Sequence, residues 1–169
     1  MVKHSTPKTN AMRLLDKHRV PYTAFTYPET VHSAEEVAPL LGVPASSVFK
    51  TLVTLADGNR HLLIMVPGDR ELNPRLAAQS VHAKHLQMAS QREAERLTSL
   101  KVGGISPLAL LDKPFEVYLD ASGAHLEELF INGGQRGINL CVRVADLLRI
   151  TGATVITATT ASGENQREE

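Results

Sequence analysis

The chain has 169 residues, 43% hydrophobic and 21% charged, with no tryptophan and only 4% aromatic residues, which suits one domain with a core of Leu, Val, Ile and Ala. Eighteen basic residues balance eighteen acidic ones, so the basic excess of a protein that grips nucleic acid mainly through phosphates is missing. The single cysteine, Cys141, excludes an internal disulfide and the Cys-rich zinc sites.

No apolar run approaches the roughly 18 residues of a membrane span, and Met1 to Pro7 lacks the apolar stretch of a signal peptide. The cytoplasm is the expected compartment, with neither membrane nor DNA as a partner.

Thr9 to Arg19 reads as a first helix, with Met12, Leu14, Leu15 and His18 as an apolar stripe. Val20 to Tyr27 favours a strand closed by Pro28. Ser33-Ala34-Glu35-Glu36 is a capping box, predicting a helix from Ser33 to Leu41 that stops at Gly42 and is kinked or shortened by Pro39. Val48 to Ala56 and His61 to Val66 read as a hairpin around Asp57-Gly58-Asn59-Arg60. Asn73-Pro74 opens a helix to Gln79, and the capping box Ser90-Gln91-Arg92-Glu93 opens another to Leu97.

Phe115 to Asp120 reads as a strand. Leu129 to Asn132 and Ile138 to Val144 read as antiparallel strands around a glycine-rich turn, followed by a helix from Ala145 to Thr151 and a short strand from Thr154 to Thr157. Residues 1–160 are expected to form one domain, and residues 161–169 a disordered tail without apolar content. The mixed order of elements argues for α+β with a mixed, largely antiparallel sheet.

Lys50 carries the most information. Strand alternation puts it on one face with Val48 and Leu52, and Phe49, Thr51, Val53 and Leu55 on the other. With both faces apolar, its ammonium must reach a polar pocket or snorkel to water. Lys101-Val102-Gly103-Gly104-Ile105-Ser106-Pro107 is a stiff loop able to present bare main chain, and Gly133-Gly134 forms a second such place. Arg136 suits either a phosphate or a solvated hairpin tip. His82 and His85, three apart, lack the carboxylate or third ligand of a metal set, so neither metal nor cofactor is expected. His32, His61 and His125 show no triad partners. Cys141 shares a strand face with Asn139 and Arg143; it is a packing residue or, less naturally, a thiolate activated by Arg143.

Val48-Phe49-Lys50-Thr51, Val102-Gly103-Gly104-Ile105-Ser106-Pro107 and Asn132-Gly133-Gly134-Gln135-Arg136-Gly137, with Tyr27 ending the first strand, together resemble the YbaK-type aminoacyl-tRNA deacylases. These are relatives of the editing domain inserted in bacterial prolyl-tRNA synthetases, and the match is nearest their cysteinyl-tRNA(Pro) branch. The resemblance implies an α+β domain whose sheet is curled into a partial barrel with surrounding helices. It implies that Lys50 engages the terminal nucleotide and holds the ester, that the main chain of Gly103 and Gly104 lines the aminoacyl pocket at the reacting ester, and that Tyr27, Ile105, Ser106, Pro107, Asn132, Gly133, Gly134, Arg136 and Asn139 bind substrate. The implied partners are the acceptor end of tRNA(Pro) and prolyl-tRNA synthetase in a ternary complex.

Two positions depart from the pattern: Asn132 stands where cysteine-specific members commonly have serine, and Asn139 where they often have aspartate. Both bear on amino-acid specificity. In the implied chemistry the substrate's own thiol attacks its ester, so the protein supplies orientation and oxyanion stabilisation from the N–H groups of both glycine pairs. Two alternatives stand beside it: a deacylase for alanine or serine that uses water, and a non-catalytic module that binds an aminoacyl or nucleotide end.

Overall fold

A computed structural model of the protein describes residues 8–31 and 33–161. His32 and most of the expected tail, residues 162–169, lie outside the described residues.

Helix starts follow the capping chemistry. Thr9 caps α1 (Asn10–Lys17) by accepting from Met12 N–H, and Ser33 caps α2 (Ala34–Leu41) by accepting from Glu36 N–H. The Ser33 hydroxyl also donates to the Glu36 carboxylate at 2.9 Å, a side-chain contact in place of the reciprocal backbone bond of a full capping box. Pro39 lies inside α2 without ending it, and Gly42 stops the helix in the left-handed conformation at φ 69°. The missing proline N–H costs one backbone bond near the end of a short helix, where little remains to be broken.

The strands fall into two sheets. In the first, β1 (Thr23–Thr26), β6 (Glu128–Asn132) and β7 (Ile138–Arg143) pair antiparallel in the order β1-β7-β6. In the second, β2 (Phe49–Ala56) pairs antiparallel with β3 (Arg60–Pro67) on one side and with β4 (Leu86–Met88) on the other. The parallel strands β5 (Glu116–Asp120) and β8 (Thr154–Ile156) extend it beyond β3. β1 is shorter than the expected strand from Val20, because Val20 N–H is spent on the Leu15 carbonyl and Pro21 has no N–H to give a ladder.

The sheets meet where Val48 bridges Phe130 in parallel. A single curled sheet was expected; the strands are instead divided, and neither sheet closes into a barrel. The cause is local. The 3₁₀ turn Ala45–Ser47 delivers only one residue, Val48, to β6, while β4 covers only Thr54–Ala56 of β2. The first half of β2 therefore keeps an open edge.

The remaining helices, α3 (Pro74–Ser80), α4 (Gln91–Thr98), α5 (Ala121–Ala124) and α6 (Val144–Thr151), surround the sheets. Leu62, Leu63, Ile64, Met65 and Val66 of β3 are all fully buried, as a central strand covered on both faces requires. Asp120 is buried as well. It caps α5 and accepts from Ala158 N–H at 2.9 Å, Thr159 N–H at 3.0 Å and the Thr159 hydroxyl at 3.0 Å. That segment in turn bridges Leu72 and takes a bond from Asn73 N–H at 2.8 Å, bracing the loop between β3 and α3.

Candidate functional site

The open edge of β2 forms one wall of a cleft of about 530 Å³. Val53 C=O accepts from Ala89 N–H at 3.0 Å, so by strand alternation the main chain of Thr51 also faces that edge. Tyr27, Lys50, Gly103, Ile105, Asn132 and Asn139, half of the residues expected at the site, line this cleft. Gly104, Gly134 and Arg136 instead line a separate cavity of about 710 Å³, with Glu29 and Lys101. Ser106 and Pro107 are buried beneath the loop, where the Ser106 hydroxyl accepts from Leu108 N–H and starts a 3₁₀ turn. Gly133 lines neither space.

The Lys50 side chain, 26% exposed, lies in the cleft and pairs with the Glu71 carboxylate at 3.3 Å. Glu71 follows β3, on the loop braced from Asp120, and no sequence pattern marked it. Thr51 was read onto the face opposite Lys50. That alternation holds, yet both residues line the cleft because it wraps the unpaired edge of the strand.

Two buried side-chain atoms lack a hydrogen-bond partner among the described residues, Thr51 Oγ1 and Asn139 Oδ1, and both residues line this cleft. Asn139 is only 4% exposed. Burial raises the Tyr27 phenol above its ordinary pKa, and the neighbouring Asn139 side chain partly offsets the rise. A buried acceptor without a donor costs free energy in the empty protein, and a ligand with N–H, O–H or ammonium donors would satisfy it.

The two glycine loops hold each other. Asn132 Nδ2 donates to Gly103 C=O at 2.5 Å, while Asn132 Oδ1 accepts from Gly134 N–H at 2.7 Å and Gln135 N–H at 3.1 Å. Arg136 Nε donates to Val102 C=O at 2.7 Å. Gly104 N–H donates to Lys101 C=O at 2.7 Å and Gly133 N–H to Ile138 C=O at 2.9 Å. The expectation that both glycine pairs offer free N–H groups is therefore corrected: turn geometry has already spent those of Gly104, Gly133 and Gly134. Gly103, at φ 90°, has an N–H without a partner among the described residues and lines the cleft.

Cys141 lies outside the cleft, and burial and the Glu128 carboxylate push its thiol up to about 11, the reverse of an activated thiolate. His82 and His85 are exposed. No cluster of three or more metal-ligating side chains exists among the described residues, nor any helix there long and apolar enough to cross a membrane.

Comparison with known proteins agrees with this architecture. The aminoacyl-tRNA editing domain family matches residues 28–150. The Enterococcus faecalis protein named "Putative Cys-tRNA(Pro)/Cys-tRNA(Cys) deacylase EbsC" is 31% identical over 160 residues, covering 94% of this chain and 97% of that one. A proline–tRNA ligase of Desulfovibrio desulfuricans is 39% identical over 90 residues, 53% of this chain but only 15% of the ligase. The crystal structure titled as a putative trans-editing enzyme for prolyl tRNA synthetase superposes with a TM-score of 0.77 at 24% identity, covering 92% of this chain and 100% of that one. With the family match spanning most of the chain and EbsC similar along nearly its whole length, this protein belongs to the aminoacyl-tRNA editing domain family.

Proposed function

We propose that this protein removes cysteine wrongly attached to tRNA(Pro), acting in trans in the cytoplasm. The observation that carries the reading is the coincidence of Lys50 with two unsatisfied buried polar atoms in one cleft, where the described lining includes no cysteine and no histidine. Such a cleft suits a substrate that brings its own nucleophile. The similarity to EbsC supports cysteine as the amino acid.

In this mechanism Lys50 holds a phosphate of the terminal nucleotide, and Asn139 Oδ1 and Thr51 Oγ1 accept donors of the aminoacyl group. The substrate sulfur attacks the ester carbonyl, and Gly103 N–H donates to the oxygen as it gains negative charge. The carbonyl then re-forms and the bond to the ribose oxygen breaks. The thiol proton passes to that oxygen, leaving deacylated tRNA and a thiolactone that water later opens. Orientation supplies most of the acceleration, because the attack is intramolecular.

The balanced charge of the chain supports a small contact with the acceptor end, with selection of proline tRNA coming from prolyl-tRNA synthetase in a ternary complex. A second reading, water attack on an alanyl or seryl ester, is favoured by the Glu35 and Glu71 carboxylates in the cleft, either of which is a candidate base. The test is ester loss from cysteinyl-, seryl-, alanyl- and prolyl-tRNA(Pro), with Lys50→Ala alongside. Loss from the cysteinyl ester alone, abolished by Lys50→Ala, is expected. Equal loss from the alanyl or seryl ester would overturn the thiol route in favour of water, and no loss from any of them would leave a binding module.

A further inference from the structure

Lys50 is the one cation among the described residues lining the cleft, and that lining also includes two carboxylates, Glu35 and Glu71. The lining thus carries more negative than positive charge, although a tRNA end brings phosphate into it. Lys50 is paired with Glu71 at 3.3 Å in the free protein, so its ammonium already has an anionic neighbour. Any phosphate that reaches Lys50 meets the Glu71 carboxylate beside it and is repelled by it while the two share one ammonium.

Glu71 is built to be displaced and to return. Its backbone is pinned on both sides: Gly68 N–H donates to Val48 C=O at 2.8 Å and Asn73 N–H to Ala158 C=O at 2.8 Å, while Leu72 bridges Thr159. Its side chain is nonetheless 78% exposed. A fixed root with an open carboxylate keeps the competing anion at high local concentration, yet an exposed pair of this kind shifts an equilibrium by no more than about fivefold. Phosphate that also makes contacts elsewhere in the cleft can outbid it.

We propose that Glu71 is an intramolecular stand-in for the substrate's phosphate. It occupies Lys50 in the free protein, yields it to the incoming tRNA end, and re-pairs with it as deacylated product leaves. Glu71 thereby weakens binding of both substrate and product and speeds product release. The inference rests on Lys50 being the phosphate-binding residue, and its test separates the two.

A deacylated acceptor-stem RNA minihelix is titrated at low ionic strength into the intact protein and into Glu71→Gln, Glu35→Gln, Lys50→Met and the Lys50→Met/Glu71→Gln double variant. Glu71→Gln is expected to tighten Kd by about two- to fivefold, an effect absent when Lys50 is missing. The same tightening in the Lys50→Met background, or an equal gain from Glu35→Gln, would overturn the proposal by tracing the effect to net charge. Weaker binding by Glu71→Gln would also overturn it, making Glu71 a support that positions Lys50. If Lys50→Met bound as tightly as the unaltered protein, the reading of Lys50 itself would fall, and the exchange with it.

Discussion

The Asn132 carboxamide spans both glycine loops, donating to Gly103 C=O at 2.5 Å while accepting from Gly134 N–H at 2.7 Å. The turn after β6 and the loop after α4 are therefore tied together by a side chain 29 residues from Gly103, while the peptide plane that carries Gly103 N–H is held at its Val102 carbonyl by Arg136 Nε. Asn132 is a positioning residue in this arrangement, although it also lines the cleft wall with Gly103.

Asn132→Ala should lower deacylation. It strands the half-buried Gly103 carbonyl and Gly134 N–H, while the exposed Gln135 N–H can turn to water, so the cost is about 1 kcal/mol and a loss of about fivefold is expected, carried mainly by kcat. Ranking of amino-acid esters should change little, because the side chain is spent on the loops. Steady-state kinetics with two different esters check this. A change of preferred amino acid would instead make Asn132 a direct specificity contact.

Gly104→Ala probes the same contact sterically. An added Cβ would lie 3.0 Å from Arg136 N and 3.2 Å from the Gln135 Cα, backbone atoms that can move only if the loops part. The expected cost is about 1–3 kcal/mol of stability, as for overpacking in a core, together with lost activity. Gly58→Ala is the comparison. At φ 79° it meets backbone strain but no neighbour within 4 Å, and it sits at the hairpin end away from Lys50. It should lose about 1–2 kcal/mol from the left-handed conformation alone and keep full activity per folded molecule, as urea titrations and assays on folded protein can show.

Cys141→Ser should leave kcat and KM unchanged. The thiol is pushed up to about 11 and lies outside the cleft, so almost none of it is thiolate at neutral pH. Alkylation by iodoacetamide at pH 7.5 should accordingly be much slower than for a free thiol, and it provides an independent reading of the same shift.

Much of this molecule was legible before any coordinates, for physical reasons that differ between residues. Ser33, Asn73 and Ser90 marked helix starts because capping is a local interaction within three residues. Lys50 stood out because a charge in an apolar strand needs an explanation. Glu71 was invisible: its position beside Lys50 depends on an anchor running from Asp120 through Thr159 to Leu72, contacts far apart in the chain. β4 was missed because three residues paired to Thr54–Ala56 are too few to show a period. The glycine N–H groups were misjudged for a related reason, since a sequence shows that glycine frees the backbone but not whether the turn then uses the freed group.

The far end of the second sheet gives the last prediction. Arg60 forks onto Glu116, with Nε–Oε2 at 2.9 Å and Nη2–Oε1 at 2.6 Å, and the Tyr118 hydroxyl adds a bond to Glu116 at 2.7 Å. The guanidinium and the phenol hold the Glu116 carboxyl below its ordinary pKa of 4.5, against the opposing effect of burial. A depressed carboxylate contributes stability above its unfolded pKa and loses that contribution as pH falls through the lower, folded value. Because the Glu116 side chain is 39% exposed, solvent screens the pair, and about 1 kcal/mol is the expected scale at pH 7. Glu116→Gln should therefore be less stable at pH 7, and the gap should narrow once the pH falls below the ordinary value of 4.5 and close as it passes through the lowered folded value. Urea titrations at pH 7 and at successive acid pH values check this. The register places Arg60 opposite Ala56 and Lys50 opposite Val66, at the other end of the same strand pair. Deacylation at pH 7 should therefore be unaffected, separating a loss of stability from a loss of function.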